Sequence, residues 1–167
     1  MATRSRIGIE NEDGTVSSIY CHWDGYVSHH GPLLHTHYTD REKVKALIEL
    51  GSISVLAQEV EPPSILDDND IAGKKGESML KRFGAIGTHS FDNPLPGVTV
   101  AYHRDRGEDY IEPRINKSLR DYLLADNEEY RYVFTLEGEW RVRRSCYDEN
   151  SLDYGSRPIA EVLAEET

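Results

Sequence analysis

The sequence predicts an α+β fold: a mostly antiparallel sheet built from two hairpins plus a central strand, with helices packed on one face. Three observations carry this prediction. Residues 6–9 and 15–23 alternate in character around Asn11-Glu12-Asp13-Gly14, whose Asp-Gly pair accepts the positive φ of a tight turn. Residues 130–135 and 139–144 repeat the arrangement around Glu137-Gly138, so that Tyr130, Tyr132 and Phe134 can pair across strands with Trp140 and Val142. Thr39-Asp40-Arg41-Glu42 has the spacing of a capping box, in which the Thr39 hydroxyl takes the Glu42 N–H and the Glu42 side chain returns to the cap.

The remaining elements follow in chain order. If 15–23 is one regular strand, period two puts Ile19, Cys21 and Trp23 on one face and Tyr20 and His22 on the other. Gly31-Pro32 opens a short helix to about Tyr38, with Leu33, Leu34, His37 and Tyr38 inward and His35 outward. The helix begun by the capping box carries Val44, Leu47, Ile48 and Leu50 inward and stops at Gly51, a residue suited to a left-handed cap. Residues 53–57 read as a short strand or turn and 74–83 as a weak helix. Residues 98–103 read as a strand that ends in the loop Arg104-Asp105-Arg106-Gly107-Glu108. Asn116 is placed to cap a helix with Leu119, Tyr122 and Leu123 on one side. One domain over 1–147 is expected, with a loop-rich insertion at 62–97 and a polar tail at 148–167 that frays around a short helix.

The chain has 167 residues, of which 30 are acidic and 19 are Lys or Arg, for a formal net charge of −11. Nonspecific nucleic-acid binding comes from cations that displace counterions, so nucleic acid is not an expected partner. The charge suits a basic partner instead, and an acidic inhibitor of a host DNA-binding protein is one class to weigh. There is no run of about 18 apolar residues and no hydrophobic leader, which predicts a cytoplasmic protein without membrane contact. Cys21 and Cys146, the two cysteines, are expected as free thiols.

The densest chemistry lies in Tyr20-Cys21-His22-Trp23-Asp24-Gly25-Tyr26. Five of the seven histidines, His22, His29, His30, His35 and His37, fall near Cys21, yet strand and helix periodicity sends their side chains in different directions. No metal and no cofactor is therefore assigned. A Cys21/His22 nucleophile pair meets the same objection, because adjacent strand residues diverge. A recognition loop is the favoured use: Trp23 or Tyr26 offers a stacking face, Asp24 accepts hydrogen bonds and Gly25 permits close approach. Arg104 and Arg106 could hold a phosphate or carboxylate bidentately. If both loops meet at one sheet edge, the pair suits a small anionic, nucleotide-like ligand. The candidate ligand-binding residues are Tyr20, His22, Trp23, Asp24, Tyr26, Arg104 and Arg106, with no catalytic residue assigned.

Ser18-Ile19-Tyr20-Cys21-His22-Trp23-Asp24-Gly25-Tyr26, together with Leu47-Ile48-Glu49-Leu50-Gly51, Arg104-Asp105-Arg106-Gly107-Glu108 and Phe134-Thr135-Leu136-Glu137-Gly138-Glu139-Trp140, resembles a family of small, largely uncharacterised accessory proteins common in tailed-bacteriophage genomes. The match covers about residues 1–57 and 98–142. The resemblance implies a phage gene product in the bacterial host cytoplasm. Its expected role is noncatalytic binding of the small anionic ligand or of a host protein, in the manner of a factor that counters host defence. A small hydrolase using Cys21, His22 or Asp24, with or without a metal, is the competing enzymatic reading.

Overall fold

The computed structural model describes residues 3–61, 90–92, 94, 96–125, 128–144 and 156–166. Most of the expected insertion, the helix expected over 74–83, Cys146 and the first part of the polar tail lie outside the described residues.

The first hairpin pairs β1 (Ser5–Glu10) with β2 (Val16–Cys21), antiparallel from Ser5↔Cys21 to Glu10↔Val16. Gly14 closes its turn at a φ of 88°, where its N–H reaches the Asn11 carbonyl, as the Asp-Gly pair predicts. Two helices follow, α1 (Val27–His37) and α2 (Arg41–Glu49), and then β3 (Ile53–Val55). After the insertion come β4 (Val100–Ala101), the short helix α3 (Tyr102–Arg106), β5 (Arg114–Asn116) and α4 (Leu119–Leu124). The second hairpin, β6 (Tyr130–Phe134) with β7 (Trp140–Arg144), has Tyr132 opposite Val142 and Phe134 opposite Trp140, as expected. The described chain ends in β8 (Arg157–Pro158) and α5 (Ile159–Glu166).

Among the described residues eight strands form one sheet, in the order β4-β3-β2-β1-β6-β7-β8, with β5 also on β2. The sheet is mixed, which corrects the mostly antiparallel expectation. Each hairpin is antiparallel, but β1 lies parallel to β6 and β2 parallel to β3. Hairpin signals report only local pairing. The β2–β3 pair is parallel because α1 and α2 carry the chain back to the same end of the sheet, and β6 runs with β1 because β5, antiparallel to β2, is joined to it through α4.

Period two sorts the sheet into two faces. Ile7, Ile9, Ile19, Cys21, Tyr132, Phe134, Trp140 and Val142 share one apolar cluster with Val27, Leu34 and Tyr38 of α1, Val44, Leu47 and Ile48 of α2, and Ile159 of α5. Residues of opposite parity, Val16 and Val133, cluster with Tyr122 and Leu123 of α4. Helix residues therefore join both clusters. Each fully buried Leu, Ile or Phe contributes roughly 1.5–3 kcal/mol, so the larger cluster dominates the stability.

Local chemistry departs from several sequence expectations. Helix α1 begins at Val27, four residues early, because Tyr26 accepts the His29 and His30 N–H groups, and Pro32 falls inside the helix. Asp40, not Thr39, caps α2 by accepting the Glu42 N–H at 3.2 Å. Ser118, not Asn116, caps α4, since Asn116 is committed to β5 opposite Val16. The 98–103 strand is cut to two residues because Asp105 accepts the Ala101 N–H and starts α3. The end of the polar tail packs on the fold: Ile159 is fully buried, and Leu163 approaches α1 at Gly31.

Candidate functional site

The outer edge of β2 is shared by two short strands. β5 covers its first half, with Ser17 opposite Ile115 and Ser18 opposite Arg114, while β3 joins it only at Cys21↔Ile53. Residues 107–113 form a strap that leads from α3 across this split to β5. On one side of the strap lies a cavity of about 210 Å³ lined by Tyr20, Ser52, Tyr102, His103, Glu108, Asp109 and Ile111. On the other side is a broader groove of about 450 Å³, where Tyr110, Pro113 and Ile115 face Ile9, Lys45, Ile48 and Glu49.

The strap is held at defined points. Gly107, with a φ of 77°, ends α3 and its N–H reaches the His103 carbonyl. His103 Nδ1–H donates to the Glu108 carbonyl at 2.8 Å, which leaves Nε2 as an acceptor in the neutral ring. Tyr110 meets His103 edge-on and donates its hydroxyl to the Glu49 carbonyl at 2.9 Å. Gly51 has a φ of 76°, and a Cβ there would stand 2.6 Å from the Ile111 carbonyl oxygen, so both conformation and space require glycine. These anchors leave two apolar side chains in solvent, Ile111 at 61% and Ile115 at 68% exposed, beside the exposed carboxylates of Glu108, Asp109 and Glu112.

The segment around Cys21 is arranged differently. Tyr20 lines the cavity, and its hydroxyl is 2.7 Å from His22 Nδ1; burial raises its phenol pKa. His22 carries Trp23 edge-on at 4.8 Å. Trp23 lies beyond the end of β2 and is 42% exposed, so it does not share the buried face of Ile19 and Cys21 that strand periodicity predicts for it. Asp24 takes a φ of 58°, unusual for a residue with a side chain, so that Gly25 can pass against β1. A Cβ on Gly25 would stand 2.7 Å from both Ser5 Cβ and the Thr3 carbonyl oxygen. Tyr26, at the start of α1, packs on His29.

Beneath this segment runs a buried polar chain. Ser5 Oγ is 3.1 Å from His30 Nε2, and His30 Nδ1 is 3.0 Å from His29 Nδ1. Burial, reinforced by the neighbouring His29, lowers the His30 pKa to about 3, so the ring is neutral. Tyr132 packs against His30 and donates its hydroxyl to the Gly25 carbonyl at 2.6 Å. Cys21 is fully buried, and desolvation pushes its thiol up to about 12. It is therefore a core residue and no nucleophile near neutral pH. His22 Nδ1 is engaged with Tyr20, while the Cys21 thiol is directed at the Trp23 and Ser54 carbonyls.

The two arginines also part company. Arg104 donates to the Val60 carbonyl and the Thr99 carbonyl, each at 2.6 Å, and pairs with Asp105 at 2.9 Å. These bonds tie the insertion boundary to α3 and occupy the guanidinium that was expected to clamp an anion. Arg106 lies 4.7 Å over the Phe91 ring and 3.6 Å from Glu108, half exposed. Of the seven residues picked from the sequence, Tyr20 alone lines the cavity. Tyr102, His103, Asp109 and Ile111 escaped sequence reasoning, although the apolar pair Tyr110-Ile111 inside a charged, Pro-ended stretch was a usable signal.

Among the described residues no three His, Cys, Asp or Glu side chains converge as metal ligands, and no helix is long and apolar enough to cross a membrane. Comparisons with protein-family models, with curated proteins and with solved structures find no match.

Proposed function

We propose that this chain is a noncatalytic binding protein that docks another protein on the strap and split edge of β2. The observation that carries this reading is the exposure of Ile111 and Ile115 at 61% and 68% beside a groove and a cavity, on a strap otherwise tied down by hydrogen bonds. Exposed apolar side chains rimmed by charge mark interaction surfaces, whereas scattered single ones do not. The rim here carries four carboxylates, Glu49, Glu108, Asp109 and Glu112, against the single cation Lys45 among the lining residues, and the whole chain carries −11. Both features favour a basic partner. The small-anion alternative has less support, because the Arg104 guanidinium is consumed by carbonyls and Asp105, and carboxylates line the cavity. An enzymatic role has less support for the reason given for Cys21. In the phage setting that the resemblance implies, the partner would be a basic protein of the bacterial host, and its inhibition would fit a counter-defence role.

The test is native mass spectrometry of tagged protein recovered from its bacterial host, as wild type and as Ile111→Asp/Ile115→Asp. The reading predicts a protein partner on the wild type that the double variant loses while its thermal midpoint stays within about 2 °C. Equal retention by both would refute this surface.

A further inference from the structure

We infer that the 210 Å³ cavity at the split of the sheet edge is a socket for one arginine side chain of that basic partner. The inference rests on the proposed docking surface and names the chemistry its cavity accepts.

Size is the first argument. Pockets that hold drug-sized ligands run to roughly 300–1,000 Å³, so 210 Å³ suits a single long side chain rather than a whole nucleotide. Lining is the second. Tyr20 and Tyr102 bring two phenol rings, Ile111 an aliphatic wall, and Glu108 and Asp109 two carboxylates, and no Lys or Arg lines the space. A planar guanidinium can lie on a phenol face and still present two N–H groups to one carboxylate, whereas a compact ammonium cannot do both.

Free bonding capacity is the third argument. Asp109 makes no hydrogen bond or ion pair among the described residues, and it is exposed. Glu108 meets Arg106 only at 3.6 Å between two half-exposed side chains, a pair of little strength that an incoming guanidinium can displace. His103, whose Nδ1–H is committed to the Glu108 carbonyl, keeps Nε2 as a further acceptor. An anion would find the Ser52 and Tyr102 hydroxyls as donors there but would also face the two carboxylates, with no Lys or Arg among the lining residues. An apolar side chain would offer Asp109 no partner.

The experiment titrates the full chain with N-acetyl-arginine methylamide, its lysine analogue, its citrulline analogue and ATP, followed by NMR of the Tyr102, His103 and Ile111 resonances. Citrulline keeps the length and planarity of arginine and removes the charge. The expected result is saturable shifts at these residues with the arginine probe in the millimolar range. Citrulline should bind at least tenfold more weakly and lysine several-fold more weakly. Asp109→Asn should weaken the arginine probe at least fivefold without changing the rest of the spectrum, with Glu108→Gln as the second variant. The socket is overturned if citrulline or lysine matches arginine, if ATP is the probe that shifts these resonances, or if arginine produces no shift up to about 50 mM. If the socket fails while Ile111→Asp/Ile115→Asp still abolishes partner retention, the docking surface stands and only its chemistry is wrong. If retention survives that double variant, the docking surface itself is wrong.

Discussion

Residues 20–26 and the segment 107–115, the strap with the start of β5, use their side chains in different ways. The first is the richest stretch of chemistry in the chain, and its buried members brace the fold while Trp23 and Tyr26 stay exposed. Cys21 is core, Gly25 is pressed against β1, and Tyr132 and His30 brace the turn from beneath. The strap carries plainer residues, yet its backbone and Tyr110 are tied down so that Ile111 and Ile115 stand in solvent. Density of functional groups in a sequence therefore reports how many bonds a corner needs. Availability to a partner depends on which groups are left over.

The comparison breaks most visibly at the glycines. Gly25→Ala must push Ser5 and the Thr3 backbone apart from 2.7 Å, and a loss of about 3 kcal/mol in urea unfolding is expected. Gly107→Ala meets nothing within 4 Å and should lose only about 1 kcal/mol, from its left-handed φ. Equal costs would mean that the 20–26 corner is not the tighter of the two.

Arg104→Ala comes next. It strips two carbonyls and Asp105 of their donor and should cost about 2 kcal/mol, whereas Arg106→Ala should stay within about 0.5 kcal/mol. Partner binding by refolded Arg104→Ala should be unchanged. Loss of binding without loss of stability would restore Arg104 as a ligand contact.

A further effect sharpens the contrast through pH. The folded-state pKa of His30 lies below its ordinary value, so the unfolded chain takes up a proton that the folded chain refuses. The stabilisation is complete above about pH 6.5 and is lost as pH falls from there toward about 3. The slope contributed is at most about 1.4 kcal/mol per pH unit. Denaturant midpoints measured from pH 7 to 4 should fall less steeply in His30→Asn than in the wild type. The smallest effect is expected at the strap, where Ile111→Asp should change stability by no more than about 0.5 kcal/mol.

Both hairpins and α2 were legible in the sequence because their signals are local: Asp13-Gly14, Glu137-Gly138, and the run from Asp40 to Gly51 each specify backbone within a few residues. The mixed character of the sheet was not legible, since the β1–β6 pairing joins residues more than a hundred positions apart, as in Ser5↔Tyr130. At the site, Tyr20 was found because strand alternation turns it away from the core. Tyr102 and His103 were missed because alternation was extended through residues that Asp105 turns into a helix. Arg104 was misjudged for a general reason: a sequence does not say which carbonyls will stand 2.6 Å from a guanidinium.

The central claim is that recognition belongs to the strap and structural bracing to the Cys21 corner. Backbone hydrogen–deuterium exchange on the partner-bound and partner-free chain tests it directly. The account predicts that the partner slows exchange in 107–115 and leaves 22–26 unchanged; slowing confined to 22–26 would contradict it.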